Sequence, residues 1–149
     1  MKIEDAIQQK EFKDPYNKLV VNLLYTQSYL VTSQNSLFKP HEISPEQYNV
    51  LRILRGQNGV PTTVSSIQDR MLNKMSNASR LVEKLKNKGL VKRDECPNDR
   101  RNVDLLITEK GLELLKSLDH VDDDFKTVFK NISVTEAKEL NDLLDKARG

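Results

Sequence analysis

The chain has 149 residues, 31% of them charged, a net charge of only +2 and one cysteine, Cys96. It is long enough to bury a core as a single domain, and the lone cysteine excludes an internal disulfide. No apolar run approaches the roughly 20 residues of a membrane span and the polar, charged start is unlike a secretion signal, so a soluble cytoplasmic protein is expected.

Ile3, Ala6 and Ile7 hint at a short helical turn. Over residues 14–37 apolar side chains recur with helical period at Tyr16, Leu19, Val20, Leu23, Leu24, Leu30 and Val31, with Asp14 placed to cap and Pro15 in the first turn, and Pro40 ends the segment. Ser44, Pro45 and Gln47 form a capping-box start for a second helix through Tyr48, Leu51, Ile53 and Leu54, which stops in the turn-forming run 56–59. Thr62 or Thr63 can cap a short third helix carrying Val64, Ile67 and Met71. Only Leu72 and Asn73 then separate it from a helix predicted over residues 74–88, a spacing that suggests a helix-turn-helix.

In that fourth helix Met75, Ala78, Leu81, Val82 and Leu85 occupy one stripe and are predicted to face the core, which points Asn77, Arg80, Glu83, Lys84 and Asn87 outward. Gly89 suits a left-handed helix end, residues 90–93 resume as a strand, and the period of two at Val103, Leu105 and Ile107 marks a returning strand. Between them lies a turn-rich loop with Arg100 and Arg101, so the hairpin reads as a basic wing. Thr108 is placed to cap one long helix reaching toward Asn131, and Ser133 with Glu136 opens a last helix. The outer helices carry more apolar surface than one protomer needs, which argues for dimerisation.

Charge is polarised along the chain: residues 70–101 hold ten Lys or Arg against four acids, a local +6, leaving −4 for the remainder. Such a basic field attracts phosphates. A helix in the major groove reads bases from its exposed N-terminal part, where Arg80 can bridge two guanine acceptors or grip a phosphate and Asn77 can pair with adenine. Thr63, Lys74, Ser76, Ser79 and Lys84 complete the candidate DNA contacts as backbone or water-mediated partners. At the wing tip Asp99 is spaced to hold the guanidinium of Arg101 extended for a minor groove, with Arg100 beside it.

The run Ser79, Arg80, Leu81, Val82, Glu83, Lys84, Leu85, continued by Lys88, Gly89, Leu90, Val91, then Asp99, Arg100, Arg101 and finally Leu106, Ile107, Thr108, Glu109, Lys110, Gly111, resembles the MarR-type winged-helix transcriptional regulators. The resemblance extends over nearly the whole chain. It implies a mainly α fold with a small β-wing: a winged helix-turn-helix lobe over 44–108, flanked by N- and C-terminal dimerisation helices in 1–39 and 109–149. It also implies an obligate homodimer on a palindromic duplex operator, most often as a repressor, with Arg101 as the minor-groove arginine and Asp99 its support. Many members bind small phenolic or aromatic anions in a crevice between the DNA-binding lobe and the dimerisation helices. Tyr16, Tyr25, Tyr29, His41 and Tyr48 lie in segments that could line it, and Arg52 or Arg55 could meet a carboxylate of such an effector.

The redox-sensing members resembling organic-hydroperoxide repressors place a reactive cysteine in the first long helix, and residues 14–37 contain none. Cys96 sits in the wing beside Asp94 and Glu95, which would raise its thiol pKa, so it reads as incidental. His41 and His120 are far apart and no nucleophile-base or metal-ligand spacing occurs, so neither an enzyme, a cofactor nor a metal is expected. Two further readings share the fold: a winged-helix protein-protein scaffold, which has no use for Arg100 and Arg101, and a sequence-neutral DNA-coating protein, which needs no short polar readers.

Overall fold

Asp14 and Pro15 open the longest helix as the spacing predicts. In the computed structural model, which describes residues 1–95 and 103–149, α1 spans Ile3–Ala6 and α2 spans Pro15–Phe38. The Asp14 carboxylate accepts from Asn17 N at 2.8 Å, and Pro15 occupies the first turn, where its missing N–H costs nothing. Pro40 does not terminate this segment outright; a 3-10 turn, Lys39–His41, continues it. Helices α3 (Pro45–Arg55), α4 (Val64–Arg70) and α5 (Ala78–Asn87) follow, then strands β1 (Val91–Glu95) and β2 (Val103–Ile107), and helices α6 (Glu109–Ser117), α7 (Val121–Val128) and α8 (Val134–Arg148). No helix among the described residues is long and apolar enough to cross a membrane.

The chain divides into two compact units, residues 1–112 and 113–149. In the first, Phe38, Val50, Leu51, Leu54, Ile67, Met71, Ala78, Val82, Leu85, Leu90 and Leu105 form the buried core. Helix α5 packs on α3, α4 and β1, while α2 packs on α3. The reciprocal capping box is present at α3: Gln47 N donates to Ser44 Oγ at 3.2 Å and Ser44 N to Gln47 Oε1 at 3.0 Å. Strands β1 and β2 pair antiparallel with Arg93 opposite Leu105, and Thr62 adds a bridge on the other side of β2, exchanging backbone hydrogen bonds with Leu105 at 2.8 and 3.1 Å. This settles which threonine caps α4. Thr62 belongs to the sheet, and Thr63 Oγ1 accepts from Ser66 N.

The base of the wing is tied to the start of α6. Thr108 N donates to Leu90 O, Thr108 Oγ1 donates to Gly89 O at 2.7 Å, and the same oxygen accepts from Gly111 N at 3.1 Å. Gly89, at φ +72°, takes the left-handed position that ends α5. A Cβ at Gly111 would lie 2.5 Å from Leu90 O and 2.7 Å from Ile107 Cγ1, so this helix can approach the hairpin only without a side chain there.

The single helix expected from Thr108 to Asn131 is instead α6 and α7. Leu118 N and Val121 N make i→i+3 bonds to Leu115 O and Leu118 O, and the Ser117 hydroxyl donates to Leu114 O, so the i→i+4 ladder is interrupted between them. Apolar periodicity continues through such a break, which is why it does not reveal one. Helix α8 has the predicted capping box: Glu136 N donates to Ser133 Oγ at 3.2 Å, and the N–H of Ser133, followed by its hydroxyl, holds the Glu136 carboxyl below its ordinary pKa.

Helix propensity alone makes Gly111→Ala stabilising by about 1 kcal/mol. The crowding at Leu90 O reverses the sign, and urea unfolding should show a loss of about 1–3 kcal/mol, the range for overpacking; a gain would mean that the two segments separate at no cost.

Candidate nucleic-acid interface

The two helices of the helix-turn-helix are joined by a longer turn than expected, residues 71–77. Asn77 has extended backbone and caps α5, which therefore starts at Ala78 rather than Lys74. The side-chain amide of Gln68 spans this turn, donating to Lys74 O at 3.3 Å and accepting from Ala78 N at 3.0 Å. Asn49 Oδ1 takes Leu72 N, and Asn73 Oδ1 takes Met75 N, each at 3.0 Å. Met75 consequently lies outside the helix and is 92% exposed, against its expected place in the core stripe.

From Ala78 onward the stripe is as expected. Ala78, Val82 and Leu85 are buried, Leu81 is half-buried, and Ser79, Arg80, Glu83, Lys84 and Asn87 are exposed. The face opposite the core thus presents a hydroxyl, a guanidinium and an ammonium within two turns. Glu83 is placed 3.9 Å from Lys86, off to one side of Arg80.

Three candidate contacts change character. Asn77 Oδ1 accepts from Arg80 N at 3.0 Å, so one lone pair of this oxygen is engaged as a cap, and the two amide N–H groups remain as donors. The Ser76 hydroxyl is buried and has no hydrogen-bond partner among the described residues, which removes it from the surface where a phosphate would sit. Lys74 remains exposed, but its ammonium donates back to Asp69 O. Thr63, half-buried, accepts at the start of α4 and retains its hydroxyl hydrogen as a donor. Asp99, Arg100, Arg101 and Cys96 lie outside the described residues; Lys92 and Arg93, on β1 leading toward them, are exposed.

The residues proposed for an effector crevice do not come together within the protomer. Tyr16, Tyr25 and Tyr29 are exposed on α2; nine residues is two and a half turns, which puts Tyr16 and Tyr25 on opposite sides, and thirteen residues separate Tyr16 from Tyr29 by about 20 Å. His41 and Arg55 are half-buried. The Tyr48 ring stacks at 4.4 Å on buried Phe38, and its hydroxyl accepts from Arg52 at 3.0 Å, so Tyr48 and Arg52 are packing partners of each other.

A groove of about 810 Å³ opens elsewhere, between the C-terminal end of α2, the start of α3 and the outer side of α5. Its lining includes Asn35, Lys39 and Glu42 on one side and Leu81, Lys84, Asn87 and Lys88 on the other. None of the seven crevice candidates lines it. Lys88 donates across it to the carbonyl of Glu42, which holds the left-handed conformation at φ 56°. Of the candidate site residues only Lys84 lines this groove, and the i, i+4 spacing of Lys84 and Lys88 is the signal that could have pointed to it.

Residues 43–103 match the model of the MarR family. That segment, the winged-helix lobe, is similar to the MarR family. The transcriptional repressor MprA of Escherichia coli strain K12 is 29% identical over 106 residues, 70% of this chain, and the aligned chain spans 60% of that relative's length. The MarR transcription factor of Planctomyces limnophilus superposes with a TM-score of 0.69 and 29% identity, covering 91% of this chain and 98% of that one. A cysteine-to-serine mutant of Escherichia coli MarR complexed with operator DNA has the same fold, with a TM-score of 0.69, 23% identity and coverage of 91% and 99%. The mainly helical architecture with a two-stranded antiparallel wing is that of MarR winged-helix proteins, and the family is one of transcriptional regulators, not enzymes.

Because Asn77 caps the helix, Asn77→Ala should lower stability by about 1 kcal/mol in urea unfolding while Asn77→Ser retains most of it. Equal loss in both variants would show that the cap hydrogen bond is not what Asn77 contributes.

Proposed function

We propose that this protein is a sequence-specific DNA-binding transcriptional regulator that represses from a palindromic operator as a homodimer. The observation that carries this reading is the outward face of α5: Ser79, Arg80 and Lys84 are exposed opposite buried Ala78, Val82 and Leu85, on the second helix of a helix-turn-helix. In this reading Arg80 reads a guanine edge or grips a phosphate, Ser79, Lys84 and Thr63 hold the backbone, and the amide hydrogens of Asn77 supply one further donor. Arg101 is assigned to the minor groove with Asp99 as its support, and Arg100 to the neighbouring phosphate. The operator-bound MarR relative of the same fold supports the mode of binding.

The dimer rests on α2. Tyr16, Leu19, Val20, Leu23 and Leu24 share one face of that helix, within about 140° of arc, and are between 42% and 80% exposed. A contiguous stripe of this kind marks an interaction surface. A two-fold pair of lobes then presents two α5 helices to successive major-groove faces, about 34 Å apart. Release by a small effector is assigned to the groove between α2 and α5, where Lys39, Lys84 and Lys88 favour an anion and the ligand would bear on the reading helix.

A binding titration with sedimentation decides between this and the rivals. A dimer should prefer one genomic duplex over random sequence, and its affinity should fall at least 10³-fold between about 50 and 200 mM salt, the order expected for six or more phosphate contacts. Arg80→Ala should reduce that preference, whereas Lys84→Ala should weaken all duplexes alike. A monomer without sequence preference, or an affinity insensitive to salt, overturns the reading; strong salt dependence with no preference returns the DNA-coating alternative.

A further inference from the structure

Apart from Met1, the two most exposed large apolar side chains among the described residues are Met75 at 92% and Leu72 at 85%. Both lie on the turn that delivers the chain into α5. Single exposed hydrophobes are ordinary, but two on one short turn at the N-terminal mouth of a proposed reading helix are not scattered surface.

The turn is built to hold them out. The N–H groups of Leu72, Met75, Ser76 and Ala78 are all consumed internally, by Asn49, by Asn73 twice and by Gln68, and the Lys74 carbonyl is taken by the Gln68 amide. Those backbone donors are therefore not available to grip a phosphate. The Ser76 hydroxyl is turned inward and buried, and the Lys74 ammonium is tied to Asp69 O. What the turn presents is apolar, fixed in place by side chains from α3 and α4, and flanked by exposed Arg70, Lys74 and Arg80.

We propose that Met75 is a specificity-determining residue that packs on the C5-methyl group of a thymine in the major groove, with Leu72 extending the same apolar surface. The proposal rests on the DNA-binding reading above. The cations around the turn fit a polyanionic duplex better than an apolar protein partner, and among base edges in the major groove the thymine methyl is the apolar group on offer. An unbranched, polarisable side chain suits a contact that must adapt to the pitch of the groove. Arg80, in the first turn of α5 beside the same mouth, would supply the polar half of the code.

The experiment uses the full-length chain and a duplex that it selects from a random pool. Each thymine of one half-site is replaced in turn by deoxyuridine, which removes only the methyl group. At one thymine the wild type should lose about fourfold in affinity, the size of burying one methyl-sized group. Met75→Ala should bind thymine and uracil equally there while keeping its discrimination at positions read by Arg80. Met75 is exposed, so an unchanged melting temperature is expected and separates this result from misfolding. Two outcomes overturn the proposal alone: no uracil-sensitive position in the wild type, or full sensitivity retained in Met75→Ala, either of which leaves the turn as a surface for a protein partner. Failure to select any preferred duplex overturns the DNA-binding reading as well; a selected duplex on which Arg80→Ala loses affinity but no thymine is uracil-sensitive overturns the thymine contact alone.

Discussion

Three side chains hold the arrangement on which everything else depends. Ala78, Val82 and Leu85, spaced four and then three residues apart, bury one stripe of a ten-residue helix against α3, α4 and β1. A helix this short is marginal by itself, so packing rather than propensity fixes its rotation. Once the stripe is buried, the polypeptide has no choice about Ser79, Arg80 and Lys84: they face away from the core, in a constellation that favours anions. The small residue at Ala78 lets the first turn sit close to its support, while the Asn77 cap and the Gln68 amide decide where that turn begins.

The second constraint is the tight join between wing and α6. Thr108 bonds both to the Gly89 carbonyl and to the Gly111 N–H, and Gly111 has no room for a Cβ beside Leu90 O. The segments 89–91 and 107–111 were the most distinctive part of the sequence, and their residue types now have a physical cause. Gly89 supplies a left-handed turn, Thr108 closes two hydrogen bonds, and Gly111 permits a close crossing. They orient the hairpin on the lobe; the arginines it carries toward residue 101 are a separate matter of chemistry.

Much of the fold was legible because it is written in local signals. Caps at Asp14, Ser44, Thr108 and Ser133 act within three residues, and the alternation in Val103, Leu105 and Ile107 needs only the pleat of a strand. Where the outcome depended on groups distant in sequence, the local signals misled. Met75 matches the helical stripe, but Gln68 and Asn49 hold the preceding turn open and leave it in solvent. Residues 108–131 keep one apolar period through a break made by i→i+3 bonds. The tyrosines of α2 look like a pocket set by composition, yet helix geometry disperses them.

The sequence by itself determined the class of fold, the caps, the wing strands and the polar face of α5, because each follows from spacing along a single element. Only the tertiary structure decided that α5 starts at Ala78, that the Ser76 hydroxyl is buried while Met75 is displayed, and that a lysine-lined groove joins α2 to α5. Those depend on partners 6 to 46 residues away in the chain, such as Gln68 for Lys74 and Ala78, Asn49 for Leu72 and Glu42 for Lys88. A pattern of residue types cannot specify such a meeting, because it is fixed only when separate elements have packed.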